Sequence, residues 1–476
     1  MSSFKFLIGG KLVDGDQKMT VINPATEEPV TTECPRASVA QMNAAVAAAK
    51  AAFPAWAAKP MAERRALLHK MADVIDAHAD EIGRLLTQEQ GKPLMFATGE
   101  VHNMANDVRA LSSMELPVKV LEDSATRRAE QHRRPLGVVA AIIPWNFPIA
   151  LLGTKLPTAL VAGNTLVVKP AATTPLATLK LGELIAGVLP PGVINFIADA
   201  NDLGDVLTKH PDVRKISFTG STAIGKRVMA AASETLKRVT LELGGNDAGI
   251  VLDDIDPAAA AQGIFMGAFF NSGQVCIALK RLYVHEKVYD AVVAELAKIA
   301  RGAAVGDGMT PGTMFGPLQN KMQYEKVKGL LEAGRRDGRV VAGGETGDKG
   351  YFIRPAIVAD IKEGSPLVDE EQFGPVLPVI KYSTVDDAIA RANASPYGLG
   401  GSVWSSNIER AMAVAARMEC GTVWINKHID LAAHIPFGGA KSSGMGVEMG
   451  DEGLAEFTQL QVVNIARPPV AAKAAA

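Results

Sequence analysis

Apolar and polar positions divide the chain into segments of different texture. Over the first 115 residues the spacing of apolar side chains is mostly helical. SVAQMNAAVAAAKAAFPAWAA is alanine-rich and starts behind Ser38, a side chain suited to accept from the free N–H groups of a first helical turn. AERRALLHKMADVIDAHADEIGRLLTQEQGK repeats apolar residues at helical spacing and stops at Gly91, which tolerates the left-handed backbone that ends helices. From 137 to 252 come short, almost uncharged runs: GVVAAII, TLVVKP, GVINFI, KISFTG, TLELG and AGIVL, with helix-length segments between most of them. Strands that are apolar throughout and alternate with helices predict a parallel sheet covered on both faces. Right-handed crossovers then make a doubly wound, Rossmann-like α/β domain.

A second α/β series follows: a helix around 257 to 272, RLYVHE, helix VYDAVVAELAKIARG, FIRPAIVADI, PVLPVIKY, helix DDAIARANA, GSVWS, helix ERAMAVAARM and GTVWIN. The polar segment LEDSATRRAEQHRRPLG (121 to 137) has no core face and reads as a solvated loop or an exposed β-arm. The tail PPVAAKAAA reads as frayed. The uncharged run LGVVAAIIPWNFPIALLGT is long enough to suggest a membrane span. Pro144 and Pro148 would break a helix there, so a buried strand, a loop and a helix fit better.

The 476 residues call for two or three domains. A net charge of -2 without a basic block argues against nucleic acid and anionic membranes as partners. The cysteines Cys34, Cys276 and Cys420 are too scattered for a disulfide framework or a metal pair, which points to a reducing compartment such as the cytosol. The N-terminus lacks the charged and apolar regions of a signal peptide.

In isolation Cys276 reads as a small buried hydrophobe, because free cysteine is among the most buried residue types. Its company, Asn271, Ser272, Gly273 and Gln274, is not that of a core. Glu242 ends a β-rich run just before Gly244 and Gly245, at a carboxyl end where open α/β sheets bind ligands; the alternative is a salt-bridged surface residue. Asn146, in PWNFP, is bracketed by two prolines, and is either a structural turn residue or a pre-positioned N–H donor. No G-x-G-x-x-G follows a strand, but FTGSTAIGK, with Gly220, Ser221 and Gly225, runs from a strand into a helix and offers its N-terminus to a phosphate. Lys169 ends another strand and is either a surface lysine or a contact for ribose or phosphate.

PWNFP, FTGST, LELGG, GQVC, EEQFGPV and PFGGAKSSG together, in this order and spacing, resemble the aldehyde dehydrogenase superfamily over residues 8 to 466. The resemblance implies a cofactor domain over 1–116 and 137–244, a catalytic domain over 245–445, and an oligomerisation arm over 117–136 and 458–470 that builds a homodimer or homotetramer. It implies that Cys276 is the nucleophile, that the Asn146 amide and the Cys276 N–H hold the oxyanion, and that Glu242 is the general base for hydrolysis. Relatives that transfer the acyl group to coenzyme A usually lack a carboxylate there, so release of a free acid is expected. Lys155 and Glu448 match a pair proposed to relay protons, an ordinary buried salt bridge being the alternative.

For NAD or NADP, the resemblance gives Lys169 to the adenosine ribose and Gly220 and Ser221 to the pyrophosphate, with Trp145 beside the phosphates. Glu371 is to hold the nicotinamide ribose with Phe373 nearby, and Gly225 and Leu243 complete the set. NAD-preferring relatives carry an acid three residues after the lysine. Ala172 stands there, so NADP is expected to be tolerated, and a preference for it over NAD is left open. The aldehyde tunnel corresponds to Phe147, Leu151, Thr154, Phe270, Val275, Ile277, Leu431 and Phe437. It has no arginine and a small Thr154, which suits an apolar or aromatic aldehyde. Lys427, His428 and His434 keep open a semialdehyde or hydroxyaldehyde substrate. A catalytically silent structural relative would have lost Cys276, Glu242 or Asn146, and a thiol-esterase would not use nicotinamide.

Overall fold

A computed structural model describes residues 4–467; the tail PPVAAKAAA and the last three residues of the expected arm lie outside the described residues. In the first large sheet, Val138–Ile142 lies between Thr165–Lys169 and Val213–Thr219, all parallel. The chain winds outward both ways, to Ile194–Phe196 on one side and Arg238–Glu242 on the other. Strand order therefore reverses between Val138–Ile142 and Val213–Thr219. Their carboxyl ends open the crevice in which doubly wound sheets bind ligands. The Rossmann-like expectation holds.

The uncharged run at 136 to 154 resolves into the strand Val138–Ile142, the PWNFP turn and the helix Pro148–Val161. Proline at that helix's first position loses only an N–H that would have no partner anyway. No described helix is long and apolar enough to cross a membrane.

The second sheet centres on Asp247–Val251, between Leu279–His285 and Gly400–Trp404. Val376–Tyr382 and Ala356–Ala359 extend it on one side and Thr422–Ile425 on the other, all parallel. Residues 243 to 246 carry the chain from the last central strand of the first sheet into the first strand of the second. Carboxyl ends of the first sheet thus face amino ends of the second across this short bridge, and NSGQVCIA ends directly before Leu279–His285.

Ser38 caps the helix Val39–Ala58 in a reciprocal capping box with Gln41, and Gly91 ends Ala79–Gln90 in left-handed backbone. The helical run 62 to 92 is broken, however, into Met61–Ala77 and Ala79–Gln90. At His78 the backbone N–H bonds back to Ile75 at 3.2 Å, a tightened final turn. Residues 6 to 36 form strands ahead of the helical region. The helix expected around 257 to 272 stops at Phe269 and gives way to a tight turn. The polar segment is a β-arm: Arg127–Pro135 pairs with Lys119–Asp123 and with Thr458–Ala466, all antiparallel.

Candidate active site

NSGQVCIA leaves its helix through Asn271, Ser272 and Gly273, all in left-handed backbone (φ 51°, 56° and 71°). Such a conformation costs a non-glycine residue about 1 kcal/mol or more, so neighbours must hold it. Ser272 Oγ donates to Gly316 O (2.7 Å), Gln274 Nε2 donates to Asn271 O (3.0 Å), and Gln274 Oε1 accepts from Gln319 N (2.8 Å). The next four carbonyls are all engaged. Gln274 O accepts from Asn146 Nδ2 (3.0 Å), and Val275 O and Cys276 O accept from Lys280 Nζ (2.9 and 2.6 Å). Ile277 O accepts from His428 Nε2 (2.8 Å), whose imidazole burial keeps neutral by pushing its pKa down to about 3. Among the described residues the Cys276 N–H finds no acceptor. It remains available to a ligand, and the half-buried Cys276 lines a large cleft.

Asn146 follows the strand Val138–Ile142 and is buried. Its carbonyl accepts from Lys92 Nζ (2.9 Å) and Asn271 Nδ2 (3.2 Å). Lys92 forms a buried ion pair with Glu100, whose Oε1 accepts from the N–H groups of Ile149 and Ala150 (3.0 Å each). One ion pair therefore holds both the PWNFP turn and the first turn of the helix behind it. Sequence reasoning missed Lys92, Glu100 and Gln319 and noted Gln274 only as a non-core neighbour of Cys276. It also gave Asn146 a single role. One amide N–H braces the thiol turn, and the second remains for a ligand, because a carboxamide carries two.

Glu242 pairs in register with Thr219, is buried, and among the described residues has no hydrogen-bond partner on either carboxylate oxygen. Burial and then the nearby Glu448 push its pKa well above the carboxylate range, with Lys155 opposing. Burial pushes the Cys276 thiol up to about 12; Lys280 opposes this, whereas Glu242, Asp247 and Glu371 add to it. Thiol and carboxylate thus feel each other. Lys155 and Glu448 form a buried ion pair, and Thr154 Oγ1 (2.9 Å) and Ser217 Oγ (3.2 Å) also donate to Glu448. The pair stands beside Glu242, a placement compatible with both the relay and the salt-bridge reading.

The cleft has a volume of about 1010 Å³, and Cys276, Asn146, Trp145, Lys169, Gly220, Ser221, Leu243, Glu371 and Phe373 line it. Ser221 Oγ caps the helix Thr222–Ser233, which presents its N-terminus there. Gly225 stands behind the lining, where a β-carbon would collide with the Leu243 side chain. Ala172 is also off the lining, its N–H 3.4 Å from Asn201 Oδ1. Lys169 faces the cleft already paired: its ammonium lies 2.6 Å from Asp199 Oδ1, and Asp199 Oδ2 accepts from Leu203 N (2.8 Å). Glu371 Oε1 accepts from Gly245 N (2.9 Å). The Trp145 and Phe373 rings meet edge-on with centroids 5.3 Å apart.

Of the expected tunnel residues, Phe147, Phe270, Val275, Ile277 and Phe437 gather with Cys276 in one apolar cluster, Phe147 and Phe270 stacked at 6.0 Å. Leu151 packs instead against the core of the first sheet and its helices. Thr154 turns its hydroxyl to Glu448, and Leu431 is exposed. Lys427 pairs with Asp430 at the surface, the His428 side chain is fully buried, and His434 is exposed.

Residues 12–463 match the Aldehyde dehydrogenase family, and the chain belongs to this family of oxidoreductases. It is 42% identical to a probable aldehyde dehydrogenase of Pseudomonas sp, covering 98% of this chain and 95% of that one. It is 39% identical to a phenylacetaldehyde dehydrogenase of Pseudomonas fluorescens, covering 97% and 96%. The solved NAD+ complex of an aldehyde dehydrogenase from Bacillus cereus superposes with a TM-score of 0.95 at 37% identity, covering 98% of this chain and 97% of that one.

Glu100→Gln keeps an acceptor for the Ile149 and Ala150 N–H groups but strands the Lys92 charge. Breaking a buried pair in this way costs about 3 kcal/mol. The substitution should lower the thermal unfolding midpoint by several degrees and reduce kcat, as read by differential scanning calorimetry and steady-state kinetics.

Proposed function

We propose that the chain oxidises an apolar or aromatic aldehyde to the free acid with NAD(P)+ through a covalent adduct on Cys276. One observation carries this reading: a half-buried thiol with an N–H free among the described residues lies within electrostatic reach of a buried carboxylate, Glu242, that has no hydrogen-bond partner among them. The cleft fits a dinucleotide, since it opens at the strand-order reversal and a capped helix N-terminus faces it. Lys169, the Gly220–Ser221 turn and Glu371 would hold the nucleotide. When bound, its nicotinamide supplies the acceptor for the hydride.

At neutral pH the thiol is protonated. Once ionised, a carboxylate with a raised pKa is a stronger base than an ordinary one, so the ionised form of Glu242 takes the thiol proton as sulfur adds to the carbonyl carbon. The carbonyl oxygen becomes an oxyanion held by the Cys276 N–H and the second Asn146 N–H. Loss of hydride leaves a thioester. Glu242 then takes a proton from water, the hydroxide adds, and the carbon–sulfur bond breaks to give the acid and the thiol. Lys155 and Glu448 carry protons away from Glu242 in this scheme.

The lining near Cys276 supports an apolar substrate. Aromatic and aliphatic side chains surround the thiol, His428 is neutral and turned to Ile277 O, and Lys427 is neutralised by Asp430. The Pseudomonas fluorescens relative, named for phenylacetaldehyde, agrees with an aromatic aldehyde. For the cofactor, Ala172 removes the carboxylate that would repel a 2′-phosphate, yet Asp199 already neutralises Lys169. We read the site as accepting NAD and NADP without a large preference. The arm carries the exposed apolar residues Val118, Val120, Leu121, Leu460, Val462 and Ile465, which supports a homodimer or homotetramer that buries them.

Glu242→Gln, which removes the base for both the thiol and the water, should slow the first turnover of reduced nicotinamide as well as the steady state, each by at least about a hundredfold. The wild-type rate should rise with pH as Glu242 loses its proton, and the variant should lose that limb; stopped-flow absorbance from pH 6 to 10 checks both. In a panel of benzaldehyde, hexanal, lactaldehyde and succinate semialdehyde, kcat/KM should favour the first two, and exclusive use of the last would refute an apolar tunnel. The NAD/NADP ratio of kcat/KM should stay below about a hundredfold. Asp199→Asn, which frees the Lys169 charge, should shift it about tenfold toward NADP.

A further inference from the structure

Lys280 has no role in the scheme above, yet its ammonium is fully buried one strand residue beyond the thiol turn. It donates to the carbonyls of Val275 (2.9 Å) and Cys276 (2.6 Å) and lies 3.7 Å from Glu371 Oε1. The same Glu371 oxygen accepts from Gly245 N, three residues past Glu242. The thiol turn and the strand that continues from it, the EEQFGPV turn and, through Glu371, the bridge between the sheets thus meet around one cation. The Phe373 ring lies 5.9 Å from the ammonium on the remaining side.

We propose that Lys280 is a positioning residue whose ammonium ties the thiol turn to Glu371 and provides the cation opposite the Cys276 thiolate. This rests on the reading of Cys276 as the nucleophile. The charged and titratable groups that act on the thiol are Lys280 on one side of the balance and Glu242, Asp247 and Glu371 on the other; His428, which also feels Lys280, is neutral. Lys280 is the only cation among them. Its charge is buried and held by two carbonyls and one carboxylate, so it is screened little and acts at short range. A hydrophobic residue of the same length would keep the packing but leave the Cys276 carbonyl unpaired, the Val275 carbonyl with only the Ala278 N–H (3.1 Å), and the three carboxylates unopposed.

The consequence can be read without any substrate or cofactor, from the pH dependence with which iodoacetamide alkylates Cys276 in the full-length enzyme. Peptide mass spectrometry separates Cys276 from Cys34 and Cys420. Removing a nearby cation raises a thiol pKa, and removing a nearby carboxylate charge lowers it. Lys280→Met should therefore slow alkylation about tenfold at a given pH, equivalent to moving the profile up by about one unit, whereas Glu371→Gln should move it down. Lys280→Arg, which keeps the charge, should restore most of the rate. A Lys280→Met protein with native circular dichroism and an unchanged profile would overturn the proposal. If that variant does not fold, Glu371→Gln decides: a profile that stays put or moves up overturns it. Failure of the nucleophile reading looks different, because Cys276→Ala would then retain aldehyde oxidation.

Discussion

The site depends on a turn that cannot relax. Three consecutive left-handed residues bring the chain out of a helix, and four consecutive carbonyls after them are each held by a donor from another segment: Asn146, Lys280 twice, and His428. Fixing the carbonyls fixes the peptide planes, and so fixes the direction of the Cys276 N–H. An oxyanion hole works because its donors need no reorganisation when charge develops. Here that condition is met by hydrogen bonds made on the far side of the same peptide groups. The strained backbone is the local cost of this arrangement, and Ser272, Gln274 and Gln319 hold it in place.

The electrostatics follow from the same enclosure. Burial raises the thiol and Glu242 together, and the carboxylates around them raise both further. A site built this way rests in its protonated, unreactive form. That protects the thiol between turnovers and makes proton removal part of the reaction. Lys155 and Lys280 act from opposite flanks, the first lowering Glu242 and the second lowering Cys276. Neither lysine is free: each is tied to a carboxylate, Glu448 and Glu371 respectively. The balance between acid and thiol is therefore set by two cations whose own positions are fixed by partners.

The sheets were legible because buried parallel strands must be apolar on both faces, and that leaves a continuous signature such as TLVVK. The terminal strands at 6 to 36 were not, because QKMTVI and PVTTECPR are largely exposed and carry a mixed pattern. The break at His78 was invisible since apolar spacing continues across it. Lys321–Asp337 escaped notice despite an Asn320 cap, its long charged face obscuring a narrow buried stripe. At the site, Cys276, Glu242 and Asn146 stood out by sitting at strand or helix ends beside glycine and proline. Lys92, Glu100, Lys280 and Asp199 did not. A buried ion pair has no local pattern: Lys92 and Glu100 sit eight residues apart in a loop and a helix, and Lys169 and Lys280 lie inside ordinary strands far from their partners.

The two sheets explain why these hidden residues matter. A doubly wound sheet gathers its ligand at carboxyl ends, and the second sheet meets it with amino ends, so no strand of one can brace a loop of the other by continuing into it. The chain crosses at residues 243 to 246 and returns between Thr422–Ile425 of the second sheet and Gly444–Met445, which pairs with Arg238–Glu242. Backbone bonds such as Leu94 N to Gly308 O (2.9 Å) and side chains that reach across also register the halves: Asn146 to Gln274, Glu371 to Gly245, Gln319 to the carbonyls of Glu89 and Thr173 (3.0 and 3.2 Å). These contacts are polar and directional where apolar packing would permit sliding. The distance between Glu242, which ends one sheet, and Cys276, which precedes a strand of the other, is thus controlled by hydrogen bonds at the junction.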